Sequence, residues 1–289
     1  MSELPIKFLI DDENAGKYTD KEGQGFRGGL ERRDYGKHPL GCYSGEKPFD
    51  DDFKAIIPRE EWPERCADQL AQKSSLYHIL ETGNFGKPIP SLDQNGQGFC
   101  WAYSTAGCVQ AVRALAGMPF VQLSPHAVAC KIYNFQDRGA WGALSMDFIS
   151  RNGIPSDDFW PQKSMSRRYD NPKTWENAKQ YKIVEGFVDL DVQHVADASL
   201  TFDQVATCYL NRIPVVLDLY WWGHSVFGHT LFDRKPELGQ QGLDDPNRWA
   251  TGARNSWTDN WGDRGYMLLS GSKQIPDGAC APRAVASII

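Results

Sequence analysis

The sequence contains no run of roughly eighteen consecutive apolar residues, so no segment is long enough for a membrane-spanning helix. Its start lacks a basic stretch followed by an apolar one, and we expect no secretory signal. Basic residues are outnumbered, 31 against 37 acidic ones, and no dense basic run occurs, so nucleic acid is not an expected partner. No cysteine or histidine pair has metal-ligand spacing, and no glycine pattern fits a phosphate or dinucleotide loop. We therefore expect neither a metal nor any other cofactor.

The composition, with 41% hydrophobic and 24% charged residues over 289 positions, is that of an ordinary globular protein. Residues 1–55 are rich in glycine and charge but show little periodicity. This favours an extended arm lying on the body over a helical inhibitory segment, and such an arm would suit a docking partner. Residues 56–289 would form the folded domain.

Within that domain the periodicity changes from helical, over about 87–180, to strand-like, over about 181–289. Helices are predicted at residues 67–71, 100–116, 124–133, 143–151 and 202–211. Strands are predicted at residues 182–188, 213–220, 249–254 and 266–269. The expected class is α+β, with a helical half packed against a twisted antiparallel sheet or barrel and a cleft between them.

Cys100 stands at the start of the predicted helix 100–116, after a loop rich in Gly, Asn and Gln. A thiol at a helix N-terminus is exposed to the positive end of the helix dipole, which lowers its pKa and favours the thiolate. Gln94, six residues earlier, can place an amide donor beside that sulfur. Together with the Cys100 N–H, this donor would form an oxyanion hole. The pattern indicates a nucleophilic thiol.

A second motif, Asn-Ser-Trp-Thr-Asp-Asn-Trp-Gly-Asp-Arg-Gly-Tyr, begins at Asn255, 155 residues after the cysteine. An asparagine that orients a catalytic imidazole needs shielding from water, and Trp257 is placed to supply that shield. With both motifs in hand, the sequence resembles the papain-like (C1-type) cysteine proteases. Residues 94–104 resemble that family's Gln-Gly-x-Cys-Gly-Ser-Cys-Trp-Ala-Phe-Ser, and residues 255–266 resemble its Asn-Ser-Trp-Gly-x-x-Trp-Gly-x-x-Gly-Tyr.

The resemblance covers roughly residues 56–289 and implies a papain-like two-subdomain fold and a cysteine endopeptidase acting on peptides or proteins. It assigns Cys100 as nucleophile, Gln94 as oxyanion donor and Asn255 as the residue that orients the base. Gly139, Ala140 and Trp141 occupy the segment that in the family pairs with the substrate backbone and walls the S2 pocket. Two other readings stay open: a catalytically silent structural protein, and a thiol-dependent transferase or amidase.

The base is a choice between two histidines, since His38, His78, His126 and His194 lie outside the region where the family places it. His224 follows a predicted strand through a tight connection. His229 is closer to Asn255, by 26 residues against 31. They are five residues apart, so on one regular strand their side chains would face opposite ways, unless a bulge at Gly228 intervenes. We favour His224 and retain His229 as the alternative.

The seven cysteines do not complete the family's disulfides. Secreted papain relatives place a cysteine three residues before the nucleophile, where this chain has Gln97. Cys130 matches half of a second bridge, but no cysteine lies between residues 131 and 207. The expected location is therefore cytoplasmic or another reducing compartment.

Overall fold

The computed structural model describes residues 4–19, 28–50, 52–190, 198–235, 239 and 241–283. Residues 1–3, 20–27 and 51 of the predicted arm, together with His194, lie outside the described residues. The α-helices are α1 (Gly16–Thr19), α2 (Trp62–Ala71), α3 (Leu76–Thr82), α4 (Cys100–Leu115), α5 (Pro125–Ile132), α6 (Gly142–Asn152), α7 (Pro172–Ala178) and α8 (Ala198–Leu210). Short 3₁₀ turns occur at Arg59–Glu61, Arg167–Tyr169, Lys179–Tyr181, Pro246–Arg248 and Gly271–Gln274.

The strands are β1 (Leu9–Ile10), β2 (Glu46–Lys47), β3 (Phe187–Asp189), β4 (Val215–Leu219), β5 (His224–Asp233), β6 (Trp249–Arg254), β7 (Tyr266–Ser270) and β8 (Gly278–Pro282). They form one sheet in the order β1-β7-β6-β5-β4-β8-β3-β2. The six inner strands pair antiparallel, as predicted. Both outer pairs, β1 with β7 and β2 with β3, are parallel, so the sheet is antiparallel in its interior and mixed at its edges.

Helix α4 occupies the centre of the molecule because most of its side chains are apolar or small and can be buried on every side. Gly107 packs directly on the ring of Phe227 in β5, where an added Cβ would collide. The helix ends one residue before its predicted end. Gly117, with φ of 69°, then reverses the chain, and the Met118 N–H donates to the Arg113 carbonyl over 3.0 Å.

The sequence patterns located most elements but misjudged several. The predicted strand 182–188 is wrong for its first five residues, since only Phe187–Asp189 is a strand. The predicted helix 67–71 is the second half of the longer α2. Helices α3 and α7 and strand β8 had no strong periodic signal and were not predicted.

The predicted arm contributes both edge strands of the sheet. Leu9 and Ile10 pair with Leu268 and Leu269 at one edge, and Glu46 and Lys47 pair with Phe187 and Val188 at the other. Apolar side chains of the same segment, Leu4, Ile6, Ile10 and Ala15, are buried in the core. Between the two edge strands in the sequence, residues 29–31 bond to the main chain of Gly223 and Ala140.

Candidate active site

Cys100 is the first residue of α4 and is completely buried. Burial raises the pKa of its thiol to about 12, against the lowering effect of main-chain hydrogen bonds from Ser225, Trp101 and Cys100 itself. The expected low thiol pKa is therefore wrong for this state, because desolvation outweighs the helix terminus. The hydrogen bond from Ser225 places the sulfur beside the residue that follows His224.

His224 and Asn255 meet across the pair of strands β5 and β6. The register aligns Phe227 with Arg254, so His224 at the start of β5 reaches Asn255 just beyond β6. Nε2 of His224 lies 2.7 Å from Oδ1 of Asn255, and both residues are buried. Nδ1 of His224 makes no hydrogen bond within the described part of the chain. Burial lowers the pKa of His224 to about 4, although the Asn255 contact acts in the opposite direction.

Tryptophans enclose this imidazole. The Trp257 ring stacks on His224 with centroids 4.5 Å apart, and Trp222 meets the same ring edge-on at 5.0 Å. Trp261 packs against both tryptophans, at 5.5 and 5.9 Å. Trp257 thus lies where the sequence placed a shield, and the surrounding rings keep water from the hydrogen bond between His224 and Asn255.

His229 occupies a different environment. The pairing of β5 with β6 shifts register between Gly228 and Thr230, and His229 sits in that bulge. Its Nδ1 contacts Thr230 Oγ1 at 3.0 Å, and its ring packs against Tyr77 and Tyr266. Burial lowers the pKa of His229 to about 3. The structure therefore brings His224, and not His229, to Asn255.

The side-chain amide of Gln94 is held at both ends. Its Oε1 accepts a hydrogen bond from Ser256 Oγ over 2.6 Å, and its Nε2 donates to the Gln97 carbonyl over 2.7 Å. Nε2 also donates to the carbonyl oxygen of Gly28, 3.2 Å away. The sequence identified Ser256 only as part of the Asn-Ser-Trp motif and did not predict its hydrogen bond to Gln94.

Residues 28–31, which we call the cleft strap, contact Gln94, Gly223 and Ala140. The N–H groups of Gly29 and Leu30 both donate to the Gly223 carbonyl over 3.2 Å. The Ala140 N–H donates to the Gly29 carbonyl over 3.1 Å, and the Glu31 N–H donates to the Ala140 carbonyl over 2.9 Å. Leu30 thus pairs with Ala140 as a parallel bridge. The strap joins Gly223 on one wall of the cleft to Ala140 on the other through main-chain hydrogen bonds, in addition to the bond that Gly28 accepts from the Gln94 side chain.

Only glycine fits at the first two positions of the strap. A Cβ on Gly28 would collide with the Gly223 carbonyl oxygen, and a Cβ on Gly29 would collide with the backbone of Gly98. Gly29 also has φ of 128°, which side-chain-bearing residues rarely adopt. The glycine content of residues 1–55 was visible in the sequence, but nothing there indicated that Gly28 and Gly29 would lie against Gly223 and Gly98.

The predicted substrate-binding segment is covered by the same part of the chain. Ala140 pairs with the strap, and a Cβ on Gly139 would meet the Gly29 carbonyl. The Trp141 Nε1–H donates to Tyr43 Oη over 2.9 Å, and its ring lies 5.0 Å from that of His38. Trp141 is therefore packed under residues of the predicted arm in this state.

The state of the cysteines, the grouping of possible metal ligands and the length of the helices also bear on the site. All seven cysteines are free, and only Cys42 is exposed. Over the described ranges, no three His, Cys, Asp or Glu residues are grouped so that they could hold a metal ion. Within those ranges, too, no helix has the length and apolar character needed to cross a membrane.

Proteins of known identity include several with similar sequences. A protein described as a probable cysteine protease of Arabidopsis thaliana is 28% identical over 280 residues, covering 94% of this chain and 56% of its own length. Zingipain-2 of Zingiber officinale is 25% identical over 213 residues, covering 70% of this chain and 91% of its own. The chain therefore spans little more than half of the first of these relatives.

Solved structures share the fold at low identity. Xylellain, a cysteine protease from Xylella fastidiosa, superposes with a TM-score of 0.52 and 16% identity over 71% of this chain and 85% of its own. A mite-allergen structure from work on Blo t 1 and Der p 1 gives a TM-score of 0.55 and 15% identity over 96% of this chain and 86% of its own. The family model described as papain family cysteine protease matches residues 88–287, more than half of the sequence. The chain belongs to the papain family of cysteine proteases.

Proposed function

We propose that this protein is a cysteine endopeptidase that hydrolyses peptide bonds without a cofactor. Cys100 is the nucleophile, His224 the base, Asn255 the residue that orients the base, and Gln94 the oxyanion donor. The observation that carries the proposal is the hydrogen bond from Gln94 Nε2 to the carbonyl oxygen of Gly28. A peptide carbonyl thus already lies at the proposed oxyanion donor, in a cleft whose walls bind a main chain.

Each group has a chemical task in this proposal. Asn255 holds Nε2 of His224, which leaves Nδ1 to take the Cys100 thiol proton. The thiolate then attacks the carbon of the substrate carbonyl group. The oxygen of that carbonyl takes on negative charge and faces Gln94 Nε2 and the Cys100 N–H. The imidazolium returns the proton to the leaving amine, and water hydrolyses the thioester with His224 acting again as base.

In this proposal, the arrangement described above is the closed state of the enzyme. Cys100 and His224 are buried while the strap bridges Gly223 and Ala140, and this burial keeps the thiol and the imidazole neutral. The strap runs from Gly28 at Gln94 towards Glu31 at Ala140. If residues 139–141 hold the acyl side of a substrate, as the resemblance implies, a substrate runs the other way, towards Gln94. The strap therefore blocks the cleft without being a good substrate.

The predicted arm takes an inhibitory part in this proposal, in place of the docking role suggested by its composition. We place the protein in a reducing compartment, which is supported by seven free cysteines that include an exposed one. Peptides or proteins are the substrates. With Trp141 covered by Tyr43 and His38, an apolar P2 preference would appear only after the arm moves.

The decisive test compares Cys100→Ala with Cys108→Ala, since both residues are fully buried cysteines of α4. Both changes are made in a chain carrying Gly29→Ala, which opens the strap, and hydrolysis of a fluorogenic peptide library is measured. Cys100→Ala should lose all detectable turnover because the covalent route is gone. Cys108→Ala should retain turnover and lose only stability. Near-normal hydrolysis by Cys100→Ala would show that the proposed chemistry is wrong.

A further inference from the structure

Three residues depart from the family pattern around the nucleophile, and they touch one another. Gln97 replaces the cysteine three residues before Cys100, and Tyr103 replaces the phenylalanine three residues after it. His126 stands where the family segment Leu-Ser-Glu-Gln has its glutamine, after Leu123 and Ser124.

His126 lies in α5 and is fully buried between the other two. Its Nδ1 is 2.6 Å from Tyr103 Oη, and its Nε2 is 3.2 Å from the side-chain amide of Gln97. Phe99 and Tyr103 pack edge-on against its ring, at 5.2 and 5.6 Å. Both ring nitrogens of His126 are thus engaged, and the ring has one orientation.

Gln97 passes this restraint to Gln94. With its amide turned so that nitrogen faces the acceptors, the two N–H groups of the Gln97 side chain have three acceptors in reach: His126 Nε2 at 3.2 Å, the Gln94 carbonyl at 2.7 Å and the Asn95 carbonyl at 3.1 Å. The Gln97 carbonyl in turn accepts from Gln94 Nε2 over 2.7 Å. The side chain and main chain of Gln97 therefore grip both the backbone and the amide of the proposed oxyanion donor.

The chemistry requires such a tie. An oxyanion donor lowers the barrier only if it is already aimed where charge develops, because reorientation during the reaction cancels the gain. Ser256 Oγ holds the oxygen end of the Gln94 amide, and the carbonyl of Gln97 holds its nitrogen end, so the position of Gln97 bears directly on the donor. The cysteine that anchors the loop holding Gln94 in the family pattern is absent here.

We infer that Tyr103, His126 and Gln97 form a chain of positioning residues that aims the Gln94 amide, in place of the missing covalent bridge. This inference rests on the proposed function, since it needs Gln94 to act in turnover. Burial lowers the pKa of His126 to about 4, which keeps the ring neutral and leaves Nε2 free to accept from Gln97.

The test is a double-mutant cycle in the full-length chain carrying Gly29→Ala, so that changes in Gln94 are not confused with changes in the strap. Tyr103→Phe deletes one hydroxyl and restores the family residue, and Gln97→Met removes the amide at a partly exposed position. We expect kcat to fall about fivefold for Tyr103→Phe and about tenfold for Gln97→Met, with KM within about twofold, because only transition-state binding is lost. Tyr209→Phe, a fully buried tyrosine outside this chain of contacts, is the control and should leave kcat unchanged.

The same two changes are then made with Gln94→Ala, which alone should lower kcat by about 100- to 1,000-fold. If Tyr103 and Gln97 act through Gln94, neither change should lower kcat further in that background. Equal losses in both backgrounds, or no loss in the first, would overturn the inference. If Gln94→Ala left kcat unchanged, the oxyanion role of Gln94 would be refuted. If Cys100→Ala kept its activity, the peptidase proposal itself would be refuted.

Discussion

The glycines of the cleft strap provide the sharpest perturbation. Gly29→Ala places a methyl group against the Gly98 backbone and forces an alanine to φ of 128°. Overpacking a rigid contact costs about 1–3 kcal/mol, and a disfavoured backbone conformation costs a similar amount. We take about 3 kcal/mol for the two together. Since 1.4 kcal/mol is a factor of ten, the closed state should lose about 100-fold in population relative to the open one.

That population change has a defined kinetic form. The strap competes with substrate for the same groups, so the apparent KM equals the intrinsic KM divided by the open fraction, and kcat is unaffected. Gly29→Ala should therefore lower KM for a short peptide by up to about 100-fold, with kcat unchanged. Alkylation of Cys100 should also become faster and extend to lower pH, because the burial that raises the thiol pKa to about 12 is relieved.

The control is Gly16→Ala. Gly16 lies in the same arm, and a Cβ added there would meet no atom within 4 Å. A second variant, Glu31→Pro, removes the N–H that donates to the Ala140 carbonyl and tests the strap from an exposed position. The assay measures initial rates against peptide concentration, together with the melting temperature of each variant. An unchanged KM in both Gly29→Ala and Glu31→Pro, matching Gly16→Ala, would refute the strap as an inhibitor.

Three further outcomes are expected. In the Gly29→Ala background, His224→Ala should lower kcat by several orders of magnitude and abolish low-pH alkylation of Cys100, whereas His229→Ala should lower stability through lost packing and leave kcat nearly unchanged; the reverse result would make His229 the base. Asp189→Asn removes the nearer ionic partner of the buried Arg33 guanidinium and leaves only Glu46, 3.9 Å away, so it should loosen the strap, lower KM and reduce the melting temperature, and an unaltered KM would count against Arg33 as an anchor. Alkylation of freshly prepared, denatured protein without reductant should modify all seven cysteines by intact mass, and five or fewer would contradict a reducing compartment.

The sequence alone supported the family, the α+β class and the groups at the centre of the site. Those inferences rested on local features: an apolar helix that begins at Cys100, and an Asn-Ser-Trp motif that follows a predicted strand. Strands 249–254 and 266–269 were predicted within a residue of their bounds, the second because it is an apolar run that follows a glycine-containing turn. Such patterns depend on neighbours a few positions apart, which a sequence displays directly.

The choice of histidine needed the tertiary structure. His224 and His229 have similar local sequences, and the bulge between Gly228 and Thr230 removes the alternation argument that would separate them. Only the pairing of β5 with β6 shows which imidazole reaches Asn255. The tie from His126 to Gln97 also joins residues 29 positions apart, on different elements.

The arm shows the same limit most clearly. Its glycine-rich, aperiodic sequence predicted an extended segment, and the described parts do contain only short elements. Nothing local revealed that Leu9 would pair with Leu268, or that Gly28 would reach Gln94. Edge strands of two residues have too few side chains to form a sequence pattern. The strap needs glycine because distant backbone segments pack closely against it, and a local sequence does not show those contacts. The sequence by itself determined the reactive groups and the helices and strands that carry them, while the tertiary structure alone decided which groups meet and what covers them.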